Sequence, residues 1–234
     1  MARHRFIFTW LAFLASGLAI NLFSQEPHLL TIPKIERAPK IDGKLDDDCW
    51  AKAAVAKGFR QRRPEEGAPA TEKTEVRICR DDKVLYVGAR CFDSQPDKIR
   101  AGVMQRDAPV KGDDYFFVLL DPFKRGREGY YFRTNPNGAK GEALINSDMR
   151  RPNMDWDTIW EVRSWRDELG WTAEVAMNSY TNFSSATSQS SSAPPTITTD
   201  MFSLRCSTSS LIRCAISLGV PPTISMLSAS FLYW

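Results

Sequence analysis

Few side chains in this 234-residue chain could do chemistry by their type and spacing. Asp113 with Asp114, and Asp155 with Asp157, are paired carboxylates that superficially suit acid/base work on a glycosidic bond. Such work needs two carboxyl groups facing each other across a cleft at roughly 5 to 9.5 Å, whereas neighbours along a strand point to opposite faces. The pairs therefore read as turn formers or, for Asp113 and Asp114, as hard oxygen ligands of a structural calcium. Trp156, in Met154-Asp155-Trp156-Asp157, and Trp165, with Glu161 and Thr172 nearby, offer aromatic faces. Each also has a plain structural use, as a loop anchor or as cover on a strand face. Arg133 could hold a ligand or close a cross-strand ion pair. No Gly-x-Ser-x-Gly elbow, phosphate loop, Cys-x-x-Cys pair or histidine cluster occurs, so catalysis of those kinds and a zinc site lack support.

These residues sit between two ends of different composition. Residues 1 to about 24 begin with Arg3 and Arg5, run apolar from Phe6 to Phe23 and reach Ser24 before Gln25-Glu26, the layout of a secretory signal peptide. An uncleaved membrane anchor is the alternative, because the apolar run approaches the roughly 18 to 20 residues that span a bilayer. Either puts the remainder outside the cytoplasm, in the periplasm, envelope or medium. From residue 178 to Trp234 the only charged residues are Asp200, Arg205 and Arg213, and Ser and Thr dominate. That composition suits a linker or wall-associated tail, or a coding frame that changes near Met177 and leaves a truncated protein with a disordered, non-native end; we favour the last.

The middle, residues 25–177, has nearly balanced charge although the whole chain carries +3. Nucleic acid is excluded as a partner, since phosphate binding needs a concentrated basic surface. Arg60, Arg62 and Arg63 are followed at once by Glu65 and Glu66 and read as a solvated loop. A segment of about 150 residues suits one domain with one core.

Its pattern is that of strands. Thr74, Val76 and Ile78 alternate with polar residues, and Leu85, Val87, Ala89 and Cys91 resume the alternation after Asp81-Asp82, a two-residue period. A turn centred on Asp81-Asp82 sets Ile78 opposite Leu85, Val76 opposite Val87 and Thr74 opposite Ala89, with all apolar members on one face. Cys79 then faces away from Cys91, so those two cannot bridge; Cys49 with Cys91 stays open, beside buried thiols. Residues 114–121 form a strand buried on both faces, 130–134 another, and Asn135-Pro136-Asn137-Gly138 a turn into 139–145. A last hairpin with Arg166 opposite Trp171 puts Trp160, Val162, Ala173, Val175 and Met177 on one face. One short helix, from Asp46 to about Ala54 and capped by Asp46 or Asp47, is expected to plug one end of the stack with Trp50 in the core.

In order along the chain come Ile41-Asp42-Gly43-Lys44-Leu45-Asp46 with Trp50, Leu85-Tyr86-Val87-Gly88 with Asp93, and Gly112-Asp113-Asp114. Leu120-Asp121, Asn135-Pro136-Asn137-Gly138 and Gly170-Trp171-Thr172-Ala173-Glu174 follow. Together they resemble carbohydrate-binding module family 9, and more closely the N-terminal module of large bacterial envelope proteins that continue into an outer-membrane barrel. The resemblance covers about residues 33–177. It implies an all-β, jelly-roll-like antiparallel sandwich that binds polysaccharide or oligosaccharide, often beside a glycoside hydrolase. It also implies a ligand role for Arg133 and Asn135, which stand where the family's Arg and neighbouring Asn stand. Val110-Lys111 occupies the place of the family's first ligand Trp, Phe117 that of its Glu, and the tail replaces the region of its second Trp.

Three functions follow. The first is an exported, non-catalytic carbohydrate-binding module, any O-glycosyl hydrolysis belonging to a partner domain outside this chain. The second is a structural periplasmic domain of a truncated outer-membrane barrel protein, without sugar affinity. The third is haem binding, which the resemblance suggests because related sandwiches carry haem through Met and Lys, with Met104, Met149 and Met154 at hand; Met more often fills space.

Overall fold

The computed structural model of the chain describes residues 28–120, 129–145, 152–178, 202–205, 211–214 and 216–217. The expected leader at residues 1–24 lies outside the described residues, as does Met149. Among the described residues no helix is long and apolar enough to cross a membrane, which says nothing about a β-barrel.

Two antiparallel sheets stack face to face, as the alternating pattern requires. One runs β2 (Ala54–Ala56), β4 (Thr74–Arg80), β5 (Val84–Phe92), β10 (Gly170–Asn178), β9 (Trp160–Asp167). The other runs β3 (Arg60–Arg63), β12 (Leu211–Cys214), β11 (Phe202–Arg205), β6 (Tyr115–Leu120), β7 (Gly129–Thr134), β8 (Lys140–Ile145). A further short pair joins β1 (His28–Leu29) in parallel to β13 (Ile216–Ser217). Val76, Ile78, Val87, Ala173, Val175, Met177 and Trp160 from the first sheet meet Phe116, Val118, Leu120, Tyr130 and Phe132 from the second in one continuous core. Each fully buried large side chain contributes about 1.5–3 kcal/mol relative to exposure, so this seam holds the layers together.

The β9–β10 hairpin has the expected register, with Trp171 opposite Arg166 and Met177 opposite Trp160. β6 is covered on both faces, as its unbroken apolar centre requires. The β4–β5 hairpin is displaced by two residues from expectation: Ile78 faces Val87, Val76 faces Ala89 and Thr74 faces Cys91. The cause is Asp81, whose Oδ1 accepts the amides of Lys83 and Val84, both at 2.7 Å. That side-chain turn moves the bend to Asp82-Lys83. A shift of two preserves which face each side chain occupies, so the inward set is unchanged.

Four further expectations are corrected. The helix α1 (Asp48–Lys52) is shorter than read and Ala54 already belongs to β2. Asp47 sits at its N-cap without capping it, because Asp47 Oδ2 instead accepts the Lys40 amide at 3.0 Å. Nor does the helix plug an end. It lies on the outer face of the five-stranded sheet, where Trp50 and Cys49 pack with the outward-pointing Cys79 and Tyr86 in a second, smaller cluster. The segment holding Arg60, Arg62 and Arg63 is a strand rather than a solvated loop, paired along β12.

Within the Ser/Thr-rich tail, β11 and β12 run between β6 and β3. Composition signals no strand there. The pairing nevertheless covers an edge of β6 that would otherwise present unpaired amides and carbonyls.

Candidate functional site

The outer face of the five-stranded sheet is divided in two by the segment from Ile41 to Lys52. One half is sealed. Gly88 leaves room there for Leu45 and Trp50; a Cβ on it would stand 2.6 Å from Leu45 Cδ2. Beneath them Glu174, fully buried on β10, accepts the amides of Asp42 at 2.9 Å and Gly43 at 2.7 Å and the indole N–H of Trp50 at 2.8 Å. Thr172 Oγ1 donates to Gly43 O at 2.5 Å. Gly43 has φ +93°, and a Cβ there would come within 2.8 Å of the Ser164 carbonyl carbon, so the loop sits directly on the strand backbone.

The other half is open. Trp165 faces Thr172, Thr172 faces Arg90, and Arg90 faces Glu75, one lateral row across β9, β10, β5 and β4. Asp167 and Phe92 flank that row, and Lys44, Leu45 and Asp46 form its wall. The resulting cleft has a volume of about 420 Å³. Trp165 is 47 % exposed, and Lys44 Nζ lies 4.5 Å from the centre of its ring. Arg90 donates to both oxygens of Asp167, at 2.7 and 2.6 Å, a forked pair that fixes both planes. The Arg90 guanidinium holds Asp167 below the usual carboxylate range, and a hydrogen bond from Lys73 does the same for Glu75. Both are acceptors at neutral pH, so the cleft sets an aromatic face beside fixed donors and acceptors.

The four sequence candidates do not converge. Trp165 lines this cleft. Arg133 lies on the outer face of the other sheet, opposite Phe117 in register, donating to Ala108 O at 3.0 Å beside the Phe117 and Tyr131 rings. Phe117 is itself 8 % exposed, so that face offers little aromatic platform at this point. Asn135 is fully buried and engaged: its Nδ2 donates to Val103 O and Asp113 Oδ2, and its Oδ1 accepts the Asn137 and Ala139 amides. Its work is to hold the turn. Trp156 packs on Tyr130 and Phe132 at ring-centre distances of 5.1 and 6.1 Å, which makes it a loop anchor.

Asp113 accepts the amides of Gly102 and Val103, both at 2.9 Å, and Asp114 accepts that of Arg100 at 2.9 Å. These carboxylates organise the 100–103 loop, and among the described residues no group of three His, Cys, Asp or Glu side chains is set to hold a metal. Met104 is 79 % exposed, and Met154 also reaches the surface. Two carboxylates are raised by burial: Glu174, to about 7, and Glu142. Both are sealed from solvent and so cannot reach a substrate.

No protein-family model and no curated protein matches the chain. Solved structures do. A candidate carbohydrate-binding protein from Bacteroides uniformis superposes with a TM-score of 0.60 at 12 % identity, over 85 % of this chain and 94 % of that one. A family 9 carbohydrate-binding module from Caldicellulosiruptor kristjanssonii, in complex with cellotriose, superposes with a TM-score of 0.50 at 14 % identity, over 86 % and 98 %. The fold is that of a family 9-like sandwich. At such identities the likeness concerns backbone architecture, and the family 9-like fold leaves the choice of ligand face to the side chains.

Sequence reasoning named Trp165 but missed Arg90, Asp167, Glu75 and Phe92 as its neighbours. The signal was present in the outward alternation of β5 and β9, once β10 is placed between them.

Proposed function

We propose that residues 25–177 form an exported, non-catalytic carbohydrate-binding module, auxiliary to glycoside hydrolysis, and that it takes its sugar in the Trp165 cleft. The observation that carries this reading is the exposed Trp165 ring in one row with Thr172, Arg90 and Glu75. Sugar recognition needs an apolar aromatic surface against pyranose C–H groups and a few aimed polar groups for hydroxyls. The row supplies both, with donors from Arg90 and acceptors from Asp167 and Glu75. The sandwich architecture shared with a module holding cellotriose supports a glucan oligosaccharide as the first ligand to try.

Titrating the full chain with cellotriose, with a broad glycan array alongside, tests this. Binding should quench Trp fluorescence, and Trp165→Ala should weaken it at least tenfold while Arg133→Ala leaves it unchanged. Loss in Arg133→Ala alone would move the site to the opposite face. A blank array would overturn sugar binding and leave a structural envelope domain.

A further inference from the structure

Helix α1 lays Cys49 against the outward side of β4, where Cys79 points. Both thiols are free and buried, at 8 % and 0 % exposure, they share one buried cluster, and each bears on the other's ionisation. Ile35, Trp50, Ala53 and Tyr86 enclose them in the second cluster. Cys91 lies on the opposite side of the sheet in the main core, so the face alternation that separates Cys79 from Cys91 brings Cys79 to Cys49. A surface depression of about 460 Å³, lined by Lys34, Ile35, Arg37, Asp47, Cys49 and Lys52 among others, reaches Cys49.

We propose that Cys49 and Cys79 are a disulfide-forming pair, oxidised by a small external disulfide that enters through this depression. The Cys49 thiolate attacks one sulfur of the external disulfide and expels the other half as a thiolate. The Cys79 thiolate then attacks the Cys49 sulfur and expels the second half. Two protons pass from the protein thiols to the departing thiolates, the protein pair is oxidised, and the external disulfide is reduced to two thiols. Closure brings the two sulfurs of this cluster to about 2.05 Å. Burial raises Cys49 above its ordinary range and Cys79 to about 12, so the exchange is slow at neutral pH and quickens as pH rises. The bond ties α1 to β4, directly beside the segment that seals Glu174.

The full chain is equilibrated in buffers of rising glutathione disulfide to glutathione ratio, alkylated, digested without reduction and mapped by mass spectrometry. The expected product is a peptide pair joined through Cys49 and Cys79, two hydrogens lighter than the separate peptides. Its formation should raise the thermal midpoint, and dithiothreitol should reverse the rise. Cys49→Ser and Cys79→Ser should each abolish the link, whereas Cys91→Ser should not. The inference is overturned if both thiols stay alkylatable at the most oxidising ratio, or if either is found joined to Cys91, Cys206 or Cys214 instead. Mapping of the unsubstituted chain decides this even where a serine variant does not fold.

Discussion

The indole N–H of Trp50 donates to Glu174 Oε1 at 2.8 Å across 124 positions of sequence. Through that contact, and the two amides on Oε2, one carboxylate joins the opening motif of the domain to β10. Every donor is buried or half-buried, so the group matters more for what its loss would expose than for its own net contribution.

Glu174→Ala should therefore destabilise the protein by on the order of 3 kcal/mol or more, at about 1–3 kcal/mol for each buried donor left unsatisfied. Trp50→Phe, which removes one donor and keeps the carboxylate on two amides, should cost about 1–2 kcal/mol. Urea unfolding of both variants and their double mutant measures the coupling. Strict additivity would mean that the two side chains do not interact.

Burial lifts Glu174 from 4.5 to about 7. The folded state thus holds this proton more tightly than the unfolded chain, and the stability it lends is complete below about pH 4.5 and lost as pH rises through about 7. At about 1.4 kcal/mol per pKa unit the loss is roughly 3 kcal/mol. Asp81, Asp113 and Asp167 are held below their ordinary 3.8, so their contribution is present above that value and disappears as pH falls past it. The urea midpoint should peak near pH 5 and decline towards pH 8, and Glu174→Gln should flatten that decline. An unchanged slope in the variant would assign the decline to another group.

Gly43→Ala places a methyl group 2.8 Å from the Ser164 carbonyl carbon at a φ of +93°. Strain at such a φ costs about 1–3 kcal/mol, and the loop must also lift from β9. Amide hydrogen exchange should quicken at Gly43 and Ser164 together. Exchange that quickens only at Gly43 would show that the loop yields without disturbing the strand.

Arg106 donates to both Glu142 and Asp157. Glu142 is 1 % exposed, and burial raises its pKa despite the guanidinium. Arg106→Ala leaves a buried carboxylate uncompensated. The penalty should be about 1–3 kcal/mol, below the value for fully buried pairs because Arg106 itself is partly solvated. It should shrink as pH falls and Glu142 takes up a proton. A penalty that does not vary with pH would point to lost packing of the Arg106 stem.

Period-two segments were legible because burial on one face leaves its mark on alternate residues. β4, β5, β9 and β10 carry that mark, and β10 fixes β9 by matching Trp171 to Arg166. The β4–β5 offset was not legible, because an Asp at either turn position satisfies the same pattern until its carboxylate selects amides. Glu174 was invisible as a hub for a related reason. In sequence it occupies an outward strand position where a charged residue is ordinarily solvated, and no local pattern tells that a segment from the chain's other end covers it. The buried Trp50 was the clue, since its indole N–H required an acceptor. Of the candidate site, Trp165 was readable as outward, whereas its partnership with Arg90 passes through β10 and needs the strand order.

Glu174 and the Asp42 amide it accepts are 132 residues apart, which has a bearing on how the protein is made. A ribosome releases Ile41 to Lys52 long before it reaches codon 174, and until then Trp50 has no acceptor and its cover has no floor. Any chain that stops short of β10 lacks the one carboxylate that accepts the Asp42 and Gly43 amides and the Trp50 indole N–H, and its flank stays unsealed.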